Sequence, residues 1–108
     1  MKVYVVLDLD FYSSRGDIDT DCACVYIGKS KESAIKHMND YVKTWNDGVR
    51  DDMSECPEDF DGETVELIDD PMATDDVFED FVLYYSHTCP NGDWHNMFVK
   101  IEEREMED

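Results

Sequence analysis

Positive charge is scarce in this sequence. Lys and Arg together number 9 against 28 Asp and Glu, which leaves a net charge of −19. A chain so poor in cations is disfavoured as a direct ligand of nucleic acid or of an anionic membrane surface, because both are polyanions. Long apolar runs are missing as well: none approaches the roughly 18 residues needed to span a bilayer. The opening Met1-Lys2-Val3-Tyr4-Val5-Val6-Leu7 meets Asp8 and Asp10 too soon for a secretory signal, so a cytoplasmic location with reduced thiols is expected. The four cysteines, Cys22, Cys24, Cys56 and Cys89, are too unevenly placed for a disulfide framework. No glycine-rich phosphate loop and no serine in a nucleophile elbow is present.

What remains is enough for a core. Apolar residues make up 42% of the 108 and aromatics 12%, which separates the chain from disordered acidic tails. The length suits one domain, residues 1–108, with no internal repeat or linker. Residues 2–12 alternate as a strand, with Val3, Val5, Leu7, Leu9 and Phe11 on one face. On the other face Tyr4 and Val6 give way to Asp8 and Asp10, which are expected to reach solvent. A turn at 13–17 leads to a second strand from about Asp19 to Ile27.

The spacing of Ala34, Ile35, Met38, Tyr41, Val42 and Trp45 predicts a helix from about Ser30 to Asn46, with Ser30 as N-cap and Gly48 as a left-handed C-cap. Residues 47–62 have loop composition. Strands follow at 63–68, 81–87 and about 94–103, with Thr74-Asp75-Asp76 a candidate cap for a helical turn between them. The order ββαβββ describes an α+β fold, an antiparallel sheet of about five strands with one main helix on one face.

The charge is not spread evenly. Residues 47–80 hold fifteen acidic side chains and only Arg50, a net −14, whereas the predicted helix at 29–46 is net +2. Solubility alone would be served by scattered charge. Duplex DNA carries one negative charge per about 1.7 Å of axis, so fourteen charges correspond to roughly 24 Å of duplex. The acidic residues are Asp47, Asp51, Asp52, Glu55, Glu58, Asp59, Asp61, Glu63, Glu66, Asp69, Asp70, Asp75, Asp76, Glu79 and Asp80. In size and charge the chain resembles the acidic DNA-mimic inhibitors of phages and mobile elements, of the anti-CRISPR and anti-restriction type. That resemblance implies a non-enzymatic protein whose fifteen carboxylates bind the basic nucleic-acid site of a CRISPR effector or restriction nuclease, without a cofactor.

Three weaker patterns point elsewhere. Val5-Val6-Leu7-Asp8-Leu9-Asp10 looks like the first motif of the haloacid-dehalogenase-type phosphatases, with an Asp nucleophile and an Asp acid/base two residues on. Here it continues with Phe11 and Tyr12 instead of Gly and Thr or Val. Asp17-x-Asp19-x-Asp21 is similar to the opening of a helix-loop-helix calcium loop, but Cys22 replaces the sixth-position Gly and Gly28 the closing Glu. Cys22 and Cys24, with His87, Cys89 and His95, hold enough donors for zinc, without the spacing of a zinc knuckle. A small divalent-metal-binding protein using the Asp clusters or this Cys/His set is the alternative reading. Tyr84, Tyr85, Trp94 and Phe98 are expected mainly in the core, with one or two free to anchor an interface.

Overall fold

Alternating apolar residues make β1 (Lys2–Ser14) the second strand of a sheet, and Arg15-Gly16 turns it directly into β2 (Asp17–Gly28). Both turn residues have positive φ, 56° and 86°, the two-residue hairpin geometry whose twist matches that of the strands. The computed structural model describes residues 1–73 and 76–107. After the hairpin come one helix, α1 (Lys31–Glu55), and three strands, β3 (Thr64–Leu67), β4 (Val82–Thr88) and β5 (Trp94–Glu105). All pairings are antiparallel and the sheet order is β2-β1-β5-β4-β3, so α1 carries the chain from one edge of the sheet to the other. This is the α+β architecture that the patterning predicts. Among the described residues no helix is long and apolar enough to cross a membrane.

Two register shifts shape the core. One lies in β1–β2 at Val6/Leu7 and the other in β4–β5 at Leu83/Tyr85. The second turns consecutive residues, Tyr84 and Tyr85, into the interior, where strict alternation would expose one of them. They join Val6, Val82, Met97, Val99 and Ile101 from the sheet, Val77 from the segment before β4, and Ala34, Met38 and Val42 from the helix. Among the described residues no helix covers the sheet's other face. There Leu7, Leu9, Phe11, Leu83 and Phe98 are half-buried by one another, with the Phe11 and Phe98 rings edge to face at 5.9 Å.

The helix begins as its sequence predicts. The Ser30 hydroxyl accepts a hydrogen bond from the Ser33 N–H at 3.2 Å. It does not end as predicted. Gly48 is an interior helical residue and the helix continues nine residues beyond Asn46, to Glu55. Pro57 explains the actual stop: the residue before a proline is disfavoured in helical conformation, and Cys56 sits at φ −130°, ψ 62°. A 3-10 turn, Pro57–Phe60, follows at once, so most of the expected 47–62 loop is helical. Another short 3-10 turn spans Pro71–Ala73. Of the anticipated cap, Thr74 and Asp75 lie outside the described residues, while Asp76 accepts from the Phe78 N–H.

The buried stripe also differs from the expected one. Ala34, Met38, Val42 and Asn46 are buried at strict four-residue spacing, while Trp45 is 40% exposed. Asn46 replaces the apolar residue that the pattern calls for because it holds the far end of the sheet. Its Nδ2 donates to the carbonyls of Ile68 and Tyr84 (both 3.2 Å) and to Asp69 Oδ1 (3.1 Å). Replacing Asn46 by Leu would keep the volume and strand those acceptors. A loss of about 2–3 kcal/mol in unfolding free energy is expected, measured by urea denaturation against the wild-type chain.

Candidate functional site

The fold divides the fifteen carboxylates. Asp47, Asp51, Asp52 and Glu55 ride the last turns of α1, and Glu58, Asp59 and Asp61 follow on or just after the 3-10 turn. Asp76, Glu79 and Asp80 lie at the opposite end of the helix: Phe78 sits beneath Lys31, whose Nζ is 4.6 Å from the ring centre. From Lys31 to Asp51 the helix rises about 30 Å. Glu66 is on β3 with its side chain on the sheet face away from α1, since its neighbours Val65 and Leu67 pack on the core. Asp70 is exposed near Asp69, and Asp75 lies outside the described residues. Among the described residues the expected 47–80 face is therefore not continuous: one group surrounds the end of α1, a second lies near its start, and Glu66 is on the other face of the sheet.

Some of these charges are compensated. Arg50 bridges Asp47 (2.9 Å) and Asp69 (2.9 Å), and Lys43 reaches Asp47 at 3.1 Å. Hydrogen bonds from these cations hold Asp47 and Asp69 below the usual carboxylate range, the first chiefly through Lys43 and the second through Arg50. Asp51, Asp52, Glu55, Glu58, Asp59 and Asp61 are exposed and, among the described residues, make no ion pair. The position of Asp51, Asp52 and Glu55 opposes the fold's own electrostatics. A helix C-terminus carries partial negative charge and favours cations, yet the last turn of α1 has none. Asp47–Asp51 and Asp51–Glu55 add like charges at four-residue spacing.

Beside this group opens a cleft of about 740 Å³ between α1 and the sheet. Its walls are aromatic and apolar, Tyr41, Trp45, Phe60 and Tyr85 among them, and Asp40 and Asp52 stand at its helical rim. The half-exposed Trp45, assigned to the core by periodicity, packs edge to face on Tyr85 at 5.7 Å. Of the four C-terminal aromatics, Tyr84 and Tyr85 are buried, and Trp94 and Phe98 are partly so.

The motif-like aspartates of β1 have a structural role that the sequence does not show. Asp8, expected at the surface, is 5% exposed. It accepts from Tyr41 Oη and, at 3.0 Å, from Tyr84 Oη. Burial and the Asp8 carboxylate together push both phenols well above the ordinary tyrosine range. Asp10 is only partly buried. Desolvation first, then hydrogen bonding to Asp8 and the charges of Asp8 and Asp21, push its carboxyl up to about 7. The antiparallel sheet is not the parallel core of the phosphatase family, and Asp8 is committed to two tyrosines. Asp17, Asp19 and Asp21 lie in the extended strand β2, so the calcium-type loop does not form.

The Cys/His set is likewise split. Cys22 and Cys24 are exposed on β2 opposite Leu9 and Leu7, on the face away from α1. His87 and Cys89 instead meet Glu63, which the sequence groups with the acidic surface. One ligand-type atom from each lies within 4.8 Å of the others, all three half-buried. His87 Nε2 is 2.7 Å from Glu63 Oε2, and His87 Nδ1 is 3.1 Å from Tyr85 Oη. Burial, followed by hydrogen bonding to Glu63, raises the Cys89 thiol. His95, opposite His87 across the β4–β5 ladder, is pushed down by burial and by His87. Glu63 and His87 are 24 residues apart, and only the β3–β4 pairing joins them.

The Asp10 carboxyl gives a pH signature. Its folded-state value lies above the unfolded one, so the folded chain holds the extra proton between about pH 4 and 7. Stability from this group is complete below pH 4 and is lost as pH rises through 7. After allowance for solvent screening at its outer edge, the loss is about 1–2 kcal/mol. In Asp10→Asn, thermal denaturation from pH 5 to 8 is expected to lack this decline.

No known protein family, curated protein or solved structure matches this chain.

Proposed function

We propose that the protein is a non-enzymatic acidic binding module that occupies the basic nucleic-acid-contacting surface of another protein. The observation that carries this reading is the cluster Asp51, Asp52, Glu55, Glu58, Asp59 and Asp61. These carboxylates are exposed and make no ion pair among the described residues, and Asp51, Asp52 and Glu55 stand at the helix end where negative charge is least favourable. The helix and the 3-10 turn give them a fixed spacing, which a cationic groove can read. Six charges match roughly 10 Å of duplex, a smaller footprint than the sequence total suggests. The adjoining aromatic cleft, with Asp40 and Asp52 at its rim, suits a long cationic side chain from the same partner. The resemblance to acidic inhibitors of defence nucleases, a CRISPR effector or a restriction enzyme, suggests that class of partner.

The test uses the immobilised protein. Nucleic-acid-binding proteins retained at low salt should elute with a duplex oligonucleotide and with added salt. A variant with all six residues changed to Asn or Gln should lose retention at least tenfold. It should also melt several degrees higher, because repulsion at the helix end is relieved by about 1–3 kcal/mol in sum. A parallel Asp76→Asn/Glu79→Gln/Asp80→Asn variant should retain the partner. Retention that survives the sixfold change, or that salt leaves untouched, rules the proposal out.

A further inference from the structure

We propose that Glu63, His87 and Cys89 form a binding site for a zinc-class divalent ion. The site uses none of the six carboxylates assigned to partner binding. Its donors are one carboxylate oxygen, one imidazole nitrogen and one sulfur, held within 4.8 Å of one another. Zinc–ligand bonds are about 2.0–2.3 Å, so small side-chain rotations bring the three atoms onto one tetrahedral centre. A donor set with thiolate and imidazole selects zinc-like ions over calcium or magnesium, which take oxygen.

The surroundings are those of a supported site. Tyr85 Oη lies 3.1 Å from His87 Nδ1 and orients the ring so that Nε2 faces Glu63. Phe60 stacks on the same ring, with centroids 5.7 Å apart and planes at 26°. Cys89 is fixed by its turn: its N–H donates to the Asp93 carbonyl at 2.7 Å, and its carbonyl accepts from the Gly92 N–H at 3.0 Å. On the far side His87 and Cys89 border a second cleft of about 430 Å³, shared with Tyr12, Asp93, Trp94 and His95. That cleft leaves the fourth coordination position open to water or to a donor from a bound molecule. One neighbour there, His95 Nε2, is buried and has no hydrogen-bond partner among the described residues.

On binding, the Cys89 thiol gives its proton to solvent and the thiolate takes the metal. The His87 ring proton moves to Nδ1 and donates to Tyr85 Oη, which frees Nε2 for the ion. One carboxylate and one thiolate then balance the charge of the cation. The link ties the segment before the four-residue β3 to the β4–β5 turn.

Titration of the reduced protein with Co²⁺ reads this directly. A 1:1 complex with a thiolate-to-cobalt charge-transfer band and tetrahedral visible bands is expected. Stoichiometric Zn²⁺ should abolish the spectrum, and millimolar Ca²⁺ should leave it unchanged. Cys89→Ser should remove the charge-transfer band. Cys89→Ser and His87→Gln should each weaken Zn²⁺ binding at least tenfold by calorimetry, with far-ultraviolet circular dichroism retained. A Cys22→Ser/Cys24→Ser variant should bind as the wild type does. Zn²⁺ should raise the melting temperature of the wild type but not of Cys89→Ser. A missing charge-transfer band, one that survives Cys89→Ser, or equal Zn²⁺ affinity in the wild type and both single variants overturns the proposal.

Discussion

The arrangement rests on one buried carboxylate. Asp8 lies beneath α1 on β1, one strand in from the edge of the sheet, with Tyr41 from the helix and Tyr84 from β4 donating to it. A carboxylate in such a place is costly unless hydrogen bonds replace its water. The two hydroxyls do so, and in return they constrain three segments. Tyr41 fixes the rotation and translation of the helix over β1. Tyr84 can reach Asp8 only because the β4–β5 register shift turns it inward beside Tyr85. Once the helix is placed, Asn46 meets the carbonyls of Ile68 and Tyr84, and Trp45 is left at the mouth of a cleft in place of the core. The upward shift of the Asp10 carboxyl, set first by its own burial, owes its next contribution to the same carboxylate two residues earlier on the strand.

Patterns with a local cause were readable from the sequence. The alternation in β1, the Ser30 cap and the early helical stripe each depend on residues a few positions apart, and each is present. The misreadings have long-range causes. Asp8 looked solvent-facing because its partners are 33 and 76 residues away. Asn46 looked like a terminus because its acceptors come from the β3 end of the sheet. Gly48 suggested a stop, but an interior glycine costs only about 1 kcal/mol, and Arg50 anchors that turn to Asp47 and Asp69. Pro57 was the stronger signal. In the candidate site, the composition of the acidic segment was legible, whereas its division between the two ends of the helix was not, since charge counts carry no geometry. The Glu63–His87–Cys89 cluster was half visible. His87 and Cys89 stood out as donors, but Glu63 was one acid among fifteen until strand pairing singled it out.

The fold gives the acidic residues unequal meaning. Asp47 and Asp69 are absorbed into an Arg50–Lys43 network, Asp8 supports the core, and Glu63 faces a histidine. These have structural explanations. Asp51, Asp52 and Glu55 have the opposite: each sits where the helix dipole and its neighbours disfavour it, and a lysine in any of those positions would serve the fold better. Residues that work against local stability mark places where something besides folding sets the sequence. That is a stronger argument than net charge, which would hold equally well for carboxylates scattered over the whole surface.

The two proposed sites are mechanically joined. Phe60 belongs to the 3-10 turn between Glu58–Asp59 and Asp61, and its ring lies on His87, which also lines the aromatic cleft. Glu63, two residues beyond Asp61, is hydrogen-bonded to the same imidazole. An ion bound at Glu63, His87 and Cys89 would therefore clamp the 57–63 segment at its end and its middle. A charged segment ordered in advance loses less entropy when a partner docks, so it binds more tightly with no added contact. A metal there would act on the acidic surface through the position of the backbone that carries it. Its own charge works in the other direction, since a cation beside the carboxylates weakens their long-range pull. Ordering acts at contact distance and the loss of pull acts on approach, so the ion would favour slower dissociation over faster encounter.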